Sequence, residues 1–562
     1  MFLGRVKPAM VAASLIAVFT LQSFLASLGK SPTSDEPAHI AAGLSYLQTR
    51  IFHINLQHPP LLKELAAAAL LAAGVRYPAT AEAAETVNAP PNNSGREWQV
   101  GYHIIGTNPD RVLFWARLPM ILIGALFGVA LWLLGRKLVG DAAALGALFL
   151  YALDPTLIAH SYLVTTDVGV GAFILLFLYT LWLYLEQPGT GRMVWCGVAM
   201  GGMLGAKYSA VAVVPVAAIL LAAACVHFQR VAPTRKGKAA ASPRKLTVDT
   251  AAIYRFATGF GGMVAIAVFV VWALFLFHSP LLYLEGMQRV NADHNPDFLA
   301  YMAGDLKSSF STYFLVCYLL KEPLASILLA AAGLWLLVRS GKIGGLQKLF
   351  VLLPPAVLVA GYVWKADDLG IRYIIPALPF VWLAGGLALA RLLGAASRSA
   401  RIAGVVACAW LVVAAAGIYP DHLSYFNESA CLLDNPAKVG LDGGSRCGVS
   451  WLADSNVDWG QGLKQLKTWL DSHAGKRQVY LACFGCQTPE DYGIHAATPD
   501  LQDPPKPGLY AISGHFDATL PAVGRVEHTT LGYWLPVVRP IAIVGHAFYI
   551  YDVPAGGLNG IQ

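Results

Sequence analysis

Asp35 and Glu36 lie in Ser34-Asp35-Glu36-Pro37-Ala38-His39, directly after the first long apolar segment. A carboxylate at the edge of a bilayer core is costly unless it is solvated, paired or used, so an acid at that depth is a candidate functional group. Such a group can take the proton of an acceptor hydroxyl as general base. The plain structural alternative is a helix start, with Ser34 as N-cap and both acids in the first turn, where the macrodipole favours negative charge. A second acid, Asp167, ends His160-Ser161-Tyr162-Leu163-Val164-Thr165-Thr166-Asp167, where two predicted spans meet with almost no loop. Basic residues gather at the same face: Lys207-Tyr208 between two apolar runs and Arg372-Tyr373 at the opening of the tenth span. Lys321-Glu322 interrupts a further span, and His294 lies in the loop before it. Fixed Lys or Arg charges stabilise a departing phosphate in a site shielded from water. Acids beside cations are therefore what sugar transfer from a lipid phosphate requires. For each cation the alternative is snorkelling to the headgroups, and for each histidine a satisfied structural imidazole. A metal site built from Asp alone is also open.

The elements that hold these groups are predicted from composition and hydropathy. Of 562 residues 56% are hydrophobic and only 13% charged, against roughly 25% charged in soluble proteins. The chain is thus expected to be mainly α and polytopic. Apolar stretches of spanning length, about 17 to 25 residues, occur near 9–28, 112–135, 142–160, 168–185, 193–206, 208–227, 256–278, 312–338, 349–364, 371–390 and 402–419. These make about eleven transmembrane helices.

Orientation follows from Lys and Arg in the short connections. With the first helix running in to out, the inner pieces hold Arg5, Lys7, Arg136, Lys137, Arg192, the basic run from Arg230 to Arg255, Arg339, Lys342, Lys348, Arg391, Arg398 and Arg401. Only Asp141, Glu186 and Asp249 oppose them there. Segments 29–110 and 279–312 carry more acids than bases, so 29–110 and everything after 419 are placed outside the cytoplasm. The first helix is read as retained rather than cleaved, because no small-residue cleavage site precedes Lys30. The net charge of +7 is accounted for by the inner loops and calls for no nucleic-acid partner. Segment 229–247 reads as a flexible inner loop.

His58-Pro59-Pro60-Leu61-Leu62-Lys63-Glu64-Leu65 opens an Ala/Leu-rich stretch to Gly74, read as an interfacial amphipathic helix. Segment 77–110, with Pro90-Pro91-Asn92-Asn93, reads as a mobile loop. From about 420 the composition turns soluble. Val449–Ala453, Gln478–Phe484 and Gly508–Ser513 read as strands, Gly462–His473 as a helix and Pro540–Val553 as strand-rich. That alternation predicts an α/β domain of roughly 130 residues. The expected division is 1–420 for the membrane part, with 29–110 as its first external loop, and 421–562 for the soluble part. Cys431, Cys447, Cys483 and Cys486 all fall in the latter, an even number in an oxidising compartment. Pairing Cys431 with Cys447 and Cys483 with Cys486 is one of three connectivities, and a Cys-x-x-Cys zinc or redox site is the alternative.

Several motifs in order resemble the bacterial membrane glycosyltransferases of family 39. They are the segment around Asp35, His58-Pro59-Pro60-Leu61-Leu62-Lys63, Ala159-His160-Ser161 through Asp167-Val168, Gly370-Ile371-Arg372-Tyr373-Ile374-Ile375-Pro376, and Asp454-Ser455-Asn456-Val457-Asp458-Trp459-Gly460-Gln461. This family is related to protein O-mannosyltransferases and to aminoarabinose transferases acting on lipid A. The resemblance covers about residues 1–470. It implies a GT-C fold, a helical bundle with its catalytic residues on the extracytoplasmic side of the bacterial inner membrane. The donor would be a polyprenyl-phosphate sugar and the acceptor an extracytoplasmic protein, lipid or glycan, with inversion at the anomeric carbon.

By the same resemblance Asp35 matches the catalytic aspartate, Glu36 its neighbour and Asp167 the second acid. His58, Lys63, His160, Lys207, His294, Lys321, Arg372 and Tyr373 are the candidates for donor phosphate or sugar contacts; His58 stands where some relatives carry lysine or a different residue. Some relatives bind a divalent metal and others need none. The loop Asp454–Gln461, with Trp451 and Trp459, is a candidate for acceptor docking. The rival from another class is a transporter or flippase of lipid-linked saccharides. Transporters tend to show paired halves with polar, broken helices near the midplane, whereas here no repeat is visible and the polar residues gather at one face.

Overall fold

The computed structural model describes residues 7–89, 95–230, 244–279, 281–292, 298–555 and 557. The chain opens with α1 (Pro8–Leu28), α2 (Glu36–Thr49), α3 (Leu61–Ala72), α4 (Ala81–Asn88), α5 (Arg96–Gly106) and α6 (Pro109–Leu138). It continues through α7 (Asp141–Ala152), α8 (Pro155–His160), α9 (Asp167–Glu186), α10 (Thr190–Ala206) and α11 (Val213–Ala224). The hairpin β1 (Val226–Arg230) with β2 (Arg244–Val248) leads to α12 (Thr250–Leu274) and α13 (Leu282–Ala292). A second hairpin, β3 (Ala300–Met302) with β4 (Asp305–Lys307), precedes α14 (Tyr313–Lys321), α15 (Leu324–Arg339), α16 (Gly345–Lys365), α17 (Leu378–Leu393) and α18 (Arg398–Gly417).

Among the described residues seven helices are long and apolar enough to cross a membrane, and α14 with α15, bent by 114°, makes an eighth. Helices α7, α10 and α11 stand at the other three places expected from hydropathy but are shorter. This is a multi-pass membrane protein. Between apolar helices the lipid supplies no hydrophobic drive, so backbones approach through small residues. A Cβ on Gly386 of α17 would lie 2.3 Å from the Ala143 carbonyl oxygen of α7, and one on Gly333 of α15 would lie 1.7 Å from the Ala384 carbonyl oxygen. Only glycine allows these helices to meet.

The segment 77–110 is not a loop throughout. It carries α4, whose N-cap Thr80 accepts from the Ala83 amide, and α5, which packs on α2. Residues Pro90–Asn93 and most of the basic segment 229–247 fall outside the described residues. A helix, α3, forms over the expected stretch, with Leu62, Lys63, Ala66, Ala67 and Leu70 buried.

The C-terminal part is α/β. Helices α19 (Ser429–Leu432), α20 (Leu463–His473) and α21 (Gly514–Glu527) accompany a four-stranded sheet of β5 (Val479–Ala482), β6 (Gly508–Ser513), β7 (Ala542–Val544) and β8 (Phe548–Val553), in the order β5-β6-β8-β7. β5 and β6 are parallel, and the other two pairs antiparallel. β6 is buried along its whole length: Leu509 and Ala511 join Leu463, Leu466 and Phe548 on one face, while Tyr510 and Ile512 join Trp534 and Tyr551 on the other. Burial on both faces explains its unbroken apolar run. Val449–Ala453 is not a strand: residues Ser445–Ser450 form a 3-10 turn, and Leu452 makes only an isolated bridge to Met302. Helix α21 went unread in the sequence because Gly514 and Pro521 break its pattern; the Ser513 side chain caps it by accepting from the Phe516 amide. Cys431 pairs with Cys447 and Cys483 with Cys486.

A buried polar cluster ties the sheet to the bundle. Lys30, just past α1, pairs with Asp421 and donates to Gln465 Oε1 at 2.7 Å. His546, in the turn between β7 and β8, bridges Asp421 at 2.8 Å and Asp442 at 3.1 Å. Although burial alone would lower it, the two carboxylates raise the His546 pKa to about 9, and Lys30 with His546 holds Asp421 below the usual carboxylate range. A raised folded-state pKa means that the His546 contribution is complete below its unfolded value near 6.5 and disappears as pH rises through about 9. The Asp421 contribution has the opposite sense, present above the unfolded carboxylate value and lost in strong acid. The midpoint of thermal unfolding is therefore expected to fall between pH 7 and pH 9.5, and His546→Gln to flatten that fall. An unchanged slope in the variant would remove His546 from the account.

Candidate active site

Asp35 occupies the N-cap position of α2, and no side-chain cap bond forms there, so the Ser34 capping alternative is not what the structure adopts. Its Oδ2 accepts from Arg372 Nη1 at 2.7 Å. Asp167, the first residue of α9, accepts from Lys207 Nζ at 2.5 Å through Oδ1. Lys207 is available because α10 ends there and the chain turns into a 3-10 helix at Tyr208. Arg372 lies in a corresponding 3-10 turn, Ile371–Ala377, ahead of α17. Both cations meet aromatic rings: Lys207 lies 4.5 Å from the Tyr373 centroid and Arg372 4.2 Å from that of Trp459. Ring faces hold cations without neutralising them.

Asp35, Asp167, Lys207, Arg372, Tyr373 and His58 line one pocket of about 320 Å³ at one end of the bundle. His39, Asn55, Gln57 and Trp98 also stand in its wall. His39 and His58 meet edge to face, their ring centroids 5.0 Å apart. Burial lowers the His39 pKa to about 4, and burial with the neighbouring His39 and Lys207 lowers His58 well below its ordinary value. Both rings are therefore neutral near pH 7, each offering one donor and one acceptor. His58 Nδ1 and His39 Nδ1 have no partner among the described residues.

Four other sequence candidates stand elsewhere. Glu36, adjacent to Asp35, points away into the bundle and is fully buried. Arg117 of α6 holds it with two bonds, Nε to Oε1 at 2.9 Å and Nη2 to Oε2 at 2.7 Å. Glu36 also accepts from the amides of Thr33 and Val164, which makes it a brace and not a lining residue. Lys63 is buried beneath the pocket wall, donating to Tyr46 Oη at 2.9 Å and to the Asn55 and His58 carbonyls at 2.7 Å each. Lys321 ends α14 with its ammonium on the carbonyls of Leu423 and Asn456, so it is not brought to the pocket. His160 is buried 6.4 Å from the Trp459 ring and does not line it. His294 lies outside the described residues.

Asp454–Gln461 braces the site from the C-terminal side. Asn456 Oδ1 accepts from the Ile371 amide at 3.0 Å, and the Trp459 carbonyl accepts from the Ser34 amide at 2.9 Å. The loop thereby fixes the turns that carry Arg372 and Asp35, while itself standing outside the pocket lining. Sequence reading missed Arg117, His39 and Trp98. The signal for Arg117 was a lone guanidinium within an apolar helix, which calls for a buried partner. Among the described residues no group of three or more His, Cys, Asp or Glu stands where it could hold a metal ion.

A multi-pass helical membrane protein with two carboxylate–cation pairs in one pocket is the class that fold and site define. Residues 102–240 match the family model described as dolichyl-phosphate-mannose-protein mannosyltransferase. Among solved structures the chain is similar to ArnT from Cupriavidus metallidurans bound to undecaprenyl phosphate, at 14% identity over 96% of this chain and 97% of that one, with a TM-score of 0.47. It is also similar to the Archaeoglobus fulgidus oligosaccharyltransferase, at 12% identity over 86% and 63% of the two chains and a TM-score of 0.43. No curated protein matches the chain.

Proposed function

We propose that this protein is an integral membrane glycosyltransferase that moves a sugar from a polyprenyl-phosphate donor to an acceptor hydroxyl on the extracytoplasmic face of a bacterial inner membrane. One observation carries the reading: Asp35–Arg372 and Asp167–Lys207 converge on a single pocket where the helices end. The family-model match over 102–240 supports it, and the excess of Lys and Arg in the opposite loops supports the orientation. Residues 1–420 form the catalytic part in this reading and 421–562 the extracytoplasmic part.

The donor phosphate sits between Lys207 and Arg372, whose charges are fixed in place before reaction. The acceptor oxygen attacks the anomeric carbon as its bond to the phosphate oxygen breaks, and the electron pair leaves with polyprenyl phosphate. The acceptor proton passes to Asp35, held through Oδ2 by Arg372 with Oδ1 presented to the hydroxyl. A single displacement inverts the anomeric centre. Asp167 keeps Lys207 in position, and neutral His39 and His58 bond sugar hydroxyls.

Mass spectrometry of envelope glycans and lipids from cells with and without the protein tests the reading. The expected difference is one product lighter by a single sugar in the deletion; identical envelopes would overturn it. Lys207→Gln is expected to lower transfer about 10²-fold, chiefly through weaker donor use, measured as the donor dependence of transfer in membranes.

A further inference from the structure

Apart from the Asp35 pocket, a cleft of about 1080 Å³ opens on the C-terminal part. Its walls include Tyr102 of α5, the Cys483–Cys486 loop, Gln487, Thr488, Glu490, Asp500 and Phe516. Among the described residues no Lys, Arg or His lines it. The chemistry is the reverse of the Asp35 pocket. An anionic ligand would meet two carboxylates with no cation opposite, whereas hydroxyl groups would find acceptors throughout.

Three further observations point to a ligand. Gln487 is wholly buried, its amide nitrogen bonded to the Tyr102 carbonyl at 2.8 Å and to Asp491 at 2.6 Å, yet its Oε1 has no partner among the described residues. A buried carbonyl without a partner is unfavourable unless something supplies a donor. Phe516 and Tyr102, both half-buried, line it, and aromatic rings can take the apolar faces of sugar rings. The cleft also adjoins the Asp35 pocket: Trp98, which lines that pocket, stands one turn before Tyr102 on α5, and burial with the Asp35 charge raises the Tyr102 phenol pKa. Gly485, in the left-handed region at φ 63°, lies directly over Ser34, where a Cβ would stand 2.6 Å from the Ser34 Cβ.

A peptide strand added to the sheet needs a free edge. The outer edge of β5 is already taken, with the Leu481 amide on the Ala497 carbonyl at 2.9 Å and the Ala497 amide on the Val479 carbonyl at 3.0 Å. That favours a glycan over a peptide.

We propose that this cleft binds an uncharged, hydroxyl-rich glycan chain as the acceptor and delivers its end past Tyr102 to Asp35; the word acceptor rests on the transfer reading above. The test is binding of the full-length protein in lipid nanodiscs to an array of neutral, anionic and basic glycans and of peptides, without donor. The expected result is capture by neutral glycans, weakened about tenfold or more by Gln487→Leu and by the exposed pair Glu490→Gln with Asp500→Asn. The pair guards against a folding defect in the first variant. Capture by no glycan, preference for anionic glycans, capture by peptides alone, or wild-type binding by both variants would overturn the proposal. Because no turnover is read, failure here leaves the role of Asp35 standing, and an active Asp35→Asn enzyme would leave this site standing.

Discussion

Asp35→Asn is expected to lower sugar transfer by about 10²–10⁴-fold, the range that one general base contributes. The amide keeps the shape of the carboxylate and can still accept from Arg372, but it cannot take a proton from an acceptor hydroxyl. Folding should survive. The Asp35–Arg372 pair lines an open pocket, with 25% of the Asp35 side chain exposed, and ion pairs in contact with water contribute little to stability. The measurement is release of polyprenyl phosphate by purified protein supplied with lipid-phosphate sugar and an envelope extract, alongside thermal unfolding of the same sample. Turnover within threefold of wild type by a folded variant would remove Asp35 from the reaction.

Its neighbour should behave in the opposite way. Glu36→Ala is expected to cost about 3–5 kcal/mol, the penalty for leaving a buried charge without its partner. Arg117 is 2% exposed, and its guanidinium also holds the carbonyls of Ser27, Lys30 and Ser31. Removing the carboxylate strands that charge where α1, α2 and α6 meet. The variant should be recovered in low yield, with a sharply lower midpoint of unfolding in detergent. Glu36→Gln, which retains a carbonyl acceptor but not the charge, should fall between. A Glu36→Ala protein as stable as wild type would show that the clamp is not what holds this junction. Adjacent acids thus separate by readout: one by rate at constant stability, the other by stability.

The helical plan was largely legible because hydropathy reports burial in lipid directly. Helices stand at every expected span, and two of the breaks carry the pocket cations: Lys207 between α10 and α11, and Arg372 ahead of α17. The strands β5, β6 and β8 were legible as well, since apolar runs bounded by turns mark a buried sheet. The α4–α5 segment was not, because its helices are short and polar, and tertiary packing on α2 decides them rather than periodicity. Val449–Ala453 failed for the converse reason: Leu452 and Ala453 are buried, but beyond the single bridge to Met302 the segment has no strand to pair with.

The sequence by itself determined that the chain crosses a membrane many times, that its acids and cations gather at one face, and that an α/β part follows. Composition and charge bias are one-dimensional quantities, readable without a fold. Only the tertiary structure decided which of those charges share a pocket. Asp35 and Arg372 are separated by 337 residues, and Asp167 and Lys207 by 40. Glu36 turns from its neighbour because successive residues of a helix face different directions, and Lys321 is drawn away by carbonyls of a segment about a hundred residues further on. The cost of leaving a buried charge unpaired selects partners by distance in space, a quantity that spacing along the chain does not contain.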